Sequence, residues 1–533
     1  MYLVAVAALR AAAFAAAVLA VEAGDTLGSK AIETAAFSLS LAFGDDMVLQ
    51  RDATSPPASV WGFAEPGTVV TTTFRGADLN STADVTGAWV QALPSTPAGG
   101  PYEIAFAAST GESARLERVM VGDVFLCSGQ SNVCFTTDSA TNASDEVARA
   151  ALYPQIRLYT VGASVTSDTP LRQVPAVAQP WSSASPASVG GGNWTYHSAL
   201  CWLAGRNVAD ALGPDVPIGL VVSAWGGTLI QAWVDGPTNA ACKTDAAAAQ
   251  AVAEAPPSPD LSPPAQPGQP GPNNDTVLFN SMISPLLPMA LRGAWWWQGE
   301  QNWQTAPDTY ACLFQRLISL WRASFASPDL YFGFVLLAPP YAPSLRDAQF
   351  SAAALPRVGY ATAEDIGDNL SPWQPWHPRS KQLPAARIAA SALAIAYGMP
   401  VAWEMPQAAG TAAAHGGGEI NVTVTFAHLS GGQIEVDPSA ASASCPLADG
   451  VALSACGFPT VFGSDGVAYN ATLSLGPGDT AVVFSARAPD GVAPAGVAYG
   501  DNSWPVLSIF STEEVRTRWE TVRLPALHFK IML

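Results

Sequence analysis

The segment Val121-Gly-Asp-Val-Phe-Leu-Cys-Ser-Gly-Gln-Ser-Asn132 is an apolar run of strand character that ends in small and polar residues. Gly129 permits a sharp turn there. A serine just beyond such a turn stands near the start of the next helix, with its own N–H directed towards an oxyanion formed on an attacked carbonyl. Ser131 is therefore a candidate nucleophile. A serine hydroxyl is weak at its ordinary pKa and needs a base within hydrogen-bond reach. Glycine-x-serine after a strand is also an ordinary turn, so the nucleophile stands or falls with its base.

The chain has five histidines. His197, His415, His428 and His528 lie in helical, linker or β contexts of no special chemistry. His377 lies in Trp373-Gln-Pro-Trp-His-Pro-Arg-Ser-Lys-Gln382, an irregular stretch before a helix and downstream of Asp365-Ile-Gly-Asp368. A loop in that place can carry an imidazole over the edge of a sheet. A carboxylate beside it would fix the tautomer and stabilise the imidazolium.

Two further segments have the form of a strand followed by glycine and donors. Val222-Ser-Ala-Trp-Gly-Gly-Thr228 offers a backbone N–H at Gly226 or Gly227, where the missing side chains allow close approach. Ala294-Trp-Trp-Trp-Gln-Gly-Glu-Gln-Asn302 offers the side chains of Gln298, Glu300 and Asn302. The alternative to a donor loop here is a capped helix start with Glu300 buried in a structural salt bridge. The indoles of 295–297 read chiefly as core, although tryptophan faces also stack on sugars.

Cys-Ser-Gly-Gln-Ser-Asn at 127–132, Trp-Gly-Gly-Thr at 225–228, Trp-Gln-Gly-Glu-x-Asn at 297–302 and His-Pro-Arg-Ser-Lys-Gln at 377–382 occur in this order. With Met47-Val-Leu-Gln-Arg51, Leu278-Phe-Asn-Ser-Met-Ile-Ser-Pro285 and Leu345-Arg-Asp-Ala-Gln349, they resemble the sialate O-acetylesterase family of SGNH hydrolases from about residue 37 to 400. The resemblance implies that Ser131 attacks an acetyl carbonyl and His377 takes its proton. It also implies an oxyanion hole of the Ser131 N–H, a Gly226 or Gly227 N–H, and the Gln298 or Asn302 amide. Many SGNH relatives carry an acid two or three residues before the histidine, where this chain has Pro375 and Gln374. The animal-type members imply Asp365 as the acid, with Asp368 second. Gln130, Asn132 and Glu300 are possible substrate contacts. Arg346 is either an anchor for a sialic acid carboxylate or a structural ion-pair partner.

These pieces need a scaffold. Strand-like runs at 121–127, 218–222 and 293–297 alternate with helical stretches at 198–212, 310–325 and 385–397. The expectation is an α/β fold: an SGNH-type parallel sheet with helices on both faces and its ligand at the carboxyl ends of the strands. It occupies 116–405, with a Pro-rich loop insertion at 255–275. A β-rich domain at 36–115 precedes it. An Ala/Gly-rich linker at 408–418 opens a C-terminal β-sandwich-like domain spanning 406–533.

Length and composition fit this plan. The 533 residues exceed one ordinary core, and 49% hydrophobic with 13% charged residues suits a folded chain. A net charge of -19 without any basic cluster excludes nucleic acid as a partner class. No phosphate-binding loop or metal-ligand spacing is present, so no cofactor or metal is expected. Residues 1–23 read as a signal peptide, which places the chain in the secretory pathway, extracellular or lysosomal. Sequons at Asn80, Asn142, Asn193, Asn274, Asn369, Asn421 and Asn470 are consistent with that route. Of seven cysteines, Cys445 and Cys456 are the pair expected to join, while Cys127 reads as a buried free thiol. Three functions compete: deacetylation of sialic acids, deacetylation of plant or algal polysaccharide of the acetylxylan type, and sugar binding by an inactive relative.

Overall fold

The computed structural model describes residues 37–51, 56–192, 194–243, 268–440 and 456–533. The expected signal peptide, most of the Pro-rich insertion and Cys445 lie outside these residues. An eleven-stranded sheet organises the molecule. Its strands are β1 (Val48–Gln50), β2 (Val69–Phe74), β3 (Ala77–Thr82), β4 (Gly99–Ala108), β5 (Ser113–Gly129), β6 (Ile156–Val161), β7 (Val177–Ser183), β8 (Ile218–Ala224), β9 (Gly293–Trp297), β10 (Tyr331–Leu336) and β11 (Val358–Thr362).

Strand β5 connects the two parts of this sheet. Its first half pairs antiparallel with β4, Phe106 opposite Ala114, and parallel with β1, Leu49 opposite Val121. Its second half lies between β8 and β9, both parallel to it, with Val222 and Trp295 opposite Cys127. The boundary expected near residue 115 therefore falls inside one strand of 17 residues. The order across the second part is β7-β6-β8-β5-β9-β10-β11, with β7 antiparallel at the edge. Every residue of β8, β9, β10 and β11 is buried. This explains why they read as unbroken apolar runs rather than alternating ones: a covered parallel sheet has no wet face. The indoles of 295–297 are core residues, Trp295 stacking on Phe125 at 4.4 Å between ring centroids.

Five helices bear on the site: α1 (Ser131–Cys134), α2 (Ala199–Leu212), α3 (Pro307–Ser324), α4 (Pro343–Phe350) and α5 (Gln382–Tyr397). Ser198 caps α2, its side chain accepting the Cys201 N–H at 3.2 Å. Proline at the first position starts α3, where no amide hydrogen is needed. Tyr310, Leu313, Phe314, Leu317, Ile318 and Trp321 recur at three- and four-residue steps on its buried face. Helix α5 stops at Gly398, whose φ of 68° lies in the left-handed region. Helices α2 and α5 pack on one another, as do α3 and α4.

Beyond residue 405 the described residues form mainly β-strands, with a second apolar core around Ile420, Val422, Val424, Val482 and Phe484. The expected linker at 408–418 is instead the strand Gln407–Gly416 and its turn. It pairs antiparallel with Glu419–Ala427. Gly417 and Gly418 have φ of 60° and 75°, as the tight two-residue hairpin turn demands. Alanine and glycine have weak strand preference. Pairing to a partner whose Ile420, Val422, Val424 and Phe426 point inwards overrides it. This region docks on the helices: the Arg206 guanidinium of α2 donates to Glu520, and that of Arg387 in α5 to the Arg523 carbonyl.

The cysteines depart from expectation. Cys127 is not a thiol but is bonded to Cys201, which ties the end of β5 to α2. A second disulfide joins Cys242 to Cys312 at the start of α3. The expected partner of Cys456, Cys445, lies outside the described residues.

Candidate active site

Strand β5 ends at Gly129, with φ of 136°. A Cβ at this position would stand 2.1 Å from the Trp297 carbonyl oxygen, so both conformation and space require glycine. The Gln130 N–H then donates to the Trp297 carbonyl and the Trp225 N–H to the Gly129 carbonyl, each at 3.1 Å. These two bonds bring the loops after β8 and β9 to the turn that presents Ser131. Ser131 opens α1 and is 3% exposed.

His377 lies on the loop between β11 and α5 and meets Ser131 there, Nε2 2.7 Å from Oγ. Its Nδ1 is 2.6 Å from the Trp373 carbonyl oxygen. A carbonyl only accepts, so Nδ1 carries the hydrogen, and the lone pair on Nε2 is left for the serine hydroxyl. The loop is braced for this purpose: the His377 N–H donates to the Gln374 carbonyl at 3.0 Å and the Ser371 hydroxyl to the His377 carbonyl at 2.8 Å. The ring is enclosed by aromatics, with Trp194 edge-on at 4.7 Å and Trp376 at 6.2 Å between centroids. Burial pushes the imidazole down to about 3, and the Lys381 charge acts in the same direction.

Neither aspartate reaches His377. The Asp365 carboxylate accepts two hydrogen bonds from the Arg387 guanidinium, at 2.7 and 2.6 Å. Asp368 is held by Arg379, Nε to Oδ2 at 2.6 Å and Nη2 to Oδ1 at 3.0 Å. The expectation of an aspartate as the orienting acid is corrected by these pairings, and a main-chain carbonyl holds the imidazole instead.

The loop after β9 is also arranged differently from expectation. Asn302 Nδ2 donates to Gln231 Oε1 and Thr305 Oγ1, both at 3.0 Å, which uses both of its hydrogens. Gln298 Nε2 has three acceptors in reach: Asn302 Oδ1 at 2.7 Å, the Thr228 carbonyl at 2.9 Å and Gln130 Oε1 at 3.3 Å. The two amides expected to face an oxyanion are thus committed to the scaffold. Gln130 is the exception. Its Oε1 accepts from Gln298 and from the Gln301 N–H at 3.3 Å, while its buried Nε2 has no partner. Gly226 and Gly227 follow Trp225 in the β8 loop, as the sequence placed them. Asn132 and Glu300 are both buried and bonded to one another, Nδ2 to Oε1 at 2.6 Å.

Arg346 does not face the site. It is fully buried, and its guanidinium donates to the carbonyls of Leu337, Asn502 and Ser503 at 2.9 to 3.3 Å. Of its two readings, the structural one describes it, with carbonyls as partners rather than a carboxylate. Sequence reasoning missed the Trp373 carbonyl, Trp194 and Lys381. Only the last had a visible signal, as a cation four residues after the histidine. Among the described residues, no group of three histidine, cysteine or acidic side chains has metal-binding geometry.

Residues 121–372 match the family described as carbohydrate esterase, sialic acid-specific acetylesterase. Sialate O-acetylesterase of Mus musculus is 34% identical over 398 residues, which cover 66% of this chain and 72% of that protein. The Homo sapiens protein of the same name is 34% identical over 388 residues, covering 66% and 70%. Among solved structures, a carbohydrate acetylesterase from Xanthomonas citri aligns with a TM-score of 0.72 at 28% identity, over 93% of this chain and 99% of that one.

Proposed function

This chain belongs to the sialate O-acetylesterase family and is a carboxylic-ester hydrolase, and from that premise we propose that it removes O-acetyl groups from sialic acids by way of an acetyl-serine. The observation that carries the mechanism is the 2.7 Å contact of Ser131 Oγ with a His377 Nε2 whose tautomer is fixed from behind. Ser131 Oγ attacks the acetyl carbonyl carbon as its proton passes to Nε2. The oxyanion is received by the Ser131 N–H, a Gly226 or Gly227 N–H, and the unpartnered Nε2 of Gln130, the residue before the nucleophile. Collapse breaks the bond to the sugar oxygen, which takes the proton from Nε2 and leaves as a hydroxyl. Water, deprotonated by the same nitrogen, then attacks acetyl-Ser131; Ser131 Oγ is expelled and takes that proton from Nε2, and acetate leaves.

The low basicity of the buried imidazole keeps Nε2 unprotonated throughout the neutral and mildly acidic range. The fold, a mixed α/β sheet with the nucleophile at the carboxyl end of its central strand, supports the SGNH reading of the domain between β-rich flanks. An acetylated polysaccharide is the second substrate class, favoured by the likeness over nearly the whole chain to a carbohydrate acetylesterase.

Entry into the secretory pathway is part of the same reading. The sequon residues Asn80, Asn142, Asn274, Asn369 and Asn470 are exposed, and two disulfides are built into the fold. No helix among the described residues is long and apolar enough to cross a membrane.

Acetate release from a 9-O-acetylated sialoside and from acetylated xylan, with Ser131→Ala alongside, tests the proposal. Sialoside turnover that the substitution abolishes is the expected result. Xylan turnover alone transfers the assignment to polysaccharide, and release from neither substrate nor aryl acetates refutes the hydrolytic role of the site.

A further inference from the structure

Behind the reacting pair lies a buried polar bridge that the mechanism does not use. Asn132, the residue after the nucleophile, donates through Nδ2 to the Trp376 carbonyl at 2.8 Å and to Glu300 Oε1 at 2.6 Å. Its Oδ1 accepts from Lys381 Nζ at 2.5 Å. Trp376 immediately precedes His377, and Lys381 follows it by four residues. One amide therefore grips both flanks of the histidine loop from the position next to Ser131. The ammonium of Lys381 is fully buried, 4.4 Å from the ring centroid of Phe135 and 4.6 Å from that of Trp297.

We propose that Lys381 is a positioning residue, which through Asn132 holds the His377 loop against the turn that carries Ser131. The inference rests on Ser131 and His377 being the reacting pair. Where an aspartate orients the histidine, the loop has some freedom, because the side chain of the acid can follow. Here the orienting acceptor is the main chain of the same loop, so the reacting distance depends on where the loop sits. Lys381 has a second consequence. A cation near an imidazole opposes its protonation, and Lys381 acts on His377 in that sense. The other charged groups around it are Glu300, on the loop after β9, and the Asp368–Arg379 pair on the histidine loop. Burial raises Glu300 and lowers Lys381, and each charge opposes that shift in the other.

The test uses the full chain and an aryl acetate, with kcat and KM followed from acid to neutral pH for wild type, Lys381→Met, Asn132→Ala and Ser131→Ala. Lys381→Met is expected to lower kcat about 10- to 100-fold with KM nearly unchanged, the scale of a displacement of about 1 Å. It should also move the acid limb of kcat/KM to higher pH, because the opposing charge is gone. Asn132→Ala breaks the bridge but keeps the cation, so kcat should fall while the limb stays closer to wild type. A folded Lys381→Met protein with kcat within about twofold and an unmoved limb overturns the proposal. If Lys381→Met does not fold, an Asn132→Ala enzyme of wild-type kcat overturns it instead. Activity retained in Ser131→Ala would show that the reading of the reacting pair had failed first.

Discussion

His377 Nδ1 lies 2.6 Å from the carbonyl oxygen of Trp373, four residues earlier in the same loop. This contact supplies the part of a catalytic acid's work that concerns geometry and tautomer. It does not supply a negative charge, so the imidazolium formed during reaction has no counter-ion in contact with Nδ1. In the proposed mechanism the base works without an aspartate at its back, and both nearby aspartates serve the scaffold.

Asp365→Asn should therefore damage stability far more than catalysis. Arg387 is fully buried and loses the carboxylate charge that matches its own, the amide oxygen keeping only one of the two bonds at 2.7 and 2.6 Å. Breaking such a pair costs about 3–5 kcal/mol, whereas losing a true triad acid costs about 10⁴ in kcat. Urea midpoints and kcat on an aryl acetate, measured where both proteins are folded, separate the two effects. A 10⁴-fold fall in kcat with an unchanged midpoint would return the acid role to Asp365.

The contribution of three buried histidines to stability should peak near pH 6.5. Burial pushes both His377 and His197 down to about 3 from an ordinary 6.5, so the unfolded chain binds more protons between those values. Their contribution is complete above 6.5 and lost as pH falls towards 3. His528 runs the other way. Burial opposes its charge, but Glu364 and Asp347 outweigh burial and carry it up to about 10. Its contribution is complete below 6.5 and lost as pH rises towards 10. Denaturant midpoints across pH 4–10 check this. His528→Gln should flatten the alkaline arm and leave the acid arm in place.

Much of the site was legible because it depends on strand ends. An apolar run followed by glycine and a short polar run marks where a covered parallel strand leaves the sheet, and β5, β8 and β9 each do so. His377 was legible through scarcity, being a histidine in an irregular loop. A main-chain acceptor has no residue type, so nothing in Trp373 announces its carbonyl. Asp365 was implied by the family resemblance, and nothing in the sequence countered it, because its partner Arg387 is 22 residues away on a helix whose burial only the fold reveals. Arg346 misled for the same reason: carbonyl partners at Asn502 and Ser503 come from the far end of the chain. The strand at 407–416 was hidden because its composition argues against strand, and its partner decides.

The Cys127–Cys201 disulfide should matter to folding more than to turnover. It closes a span of 74 residues and ties the last turns of β5 to α2. Constraining a loop of that length in the unfolded chain contributes about 4 kcal/mol. The double substitution Cys127→Ala/Cys201→Ala should lower the denaturant midpoint accordingly while leaving kcat within a few fold at low temperature. An unchanged midpoint would mean that the bond adds nothing beyond the packing of β5 on α2.

Trp194 should govern both the basicity of His377 and the size of the acyl group accepted. Its ring meets the imidazole edge-on at 4.7 Å and also packs on Phe135 and Trp373, at 5.0 and 6.0 Å. Its φ of 57° is unusual for so large a side chain, so the surrounding loop holds it there at some cost. Trp194→Ala would admit water to the ring of His377, and because burial is the main cause of its low pKa, the acid limb of kcat/KM should move to higher pH. The space vacated beside the reacting pair should raise turnover of butyryl esters relative to acetyl esters. Aryl acetate and aryl butyrate profiles from acid to neutral pH measure both effects together. A shifted limb with unchanged acyl preference would restrict Trp194 to dehydrating the base, and neither change would remove it from the site altogether.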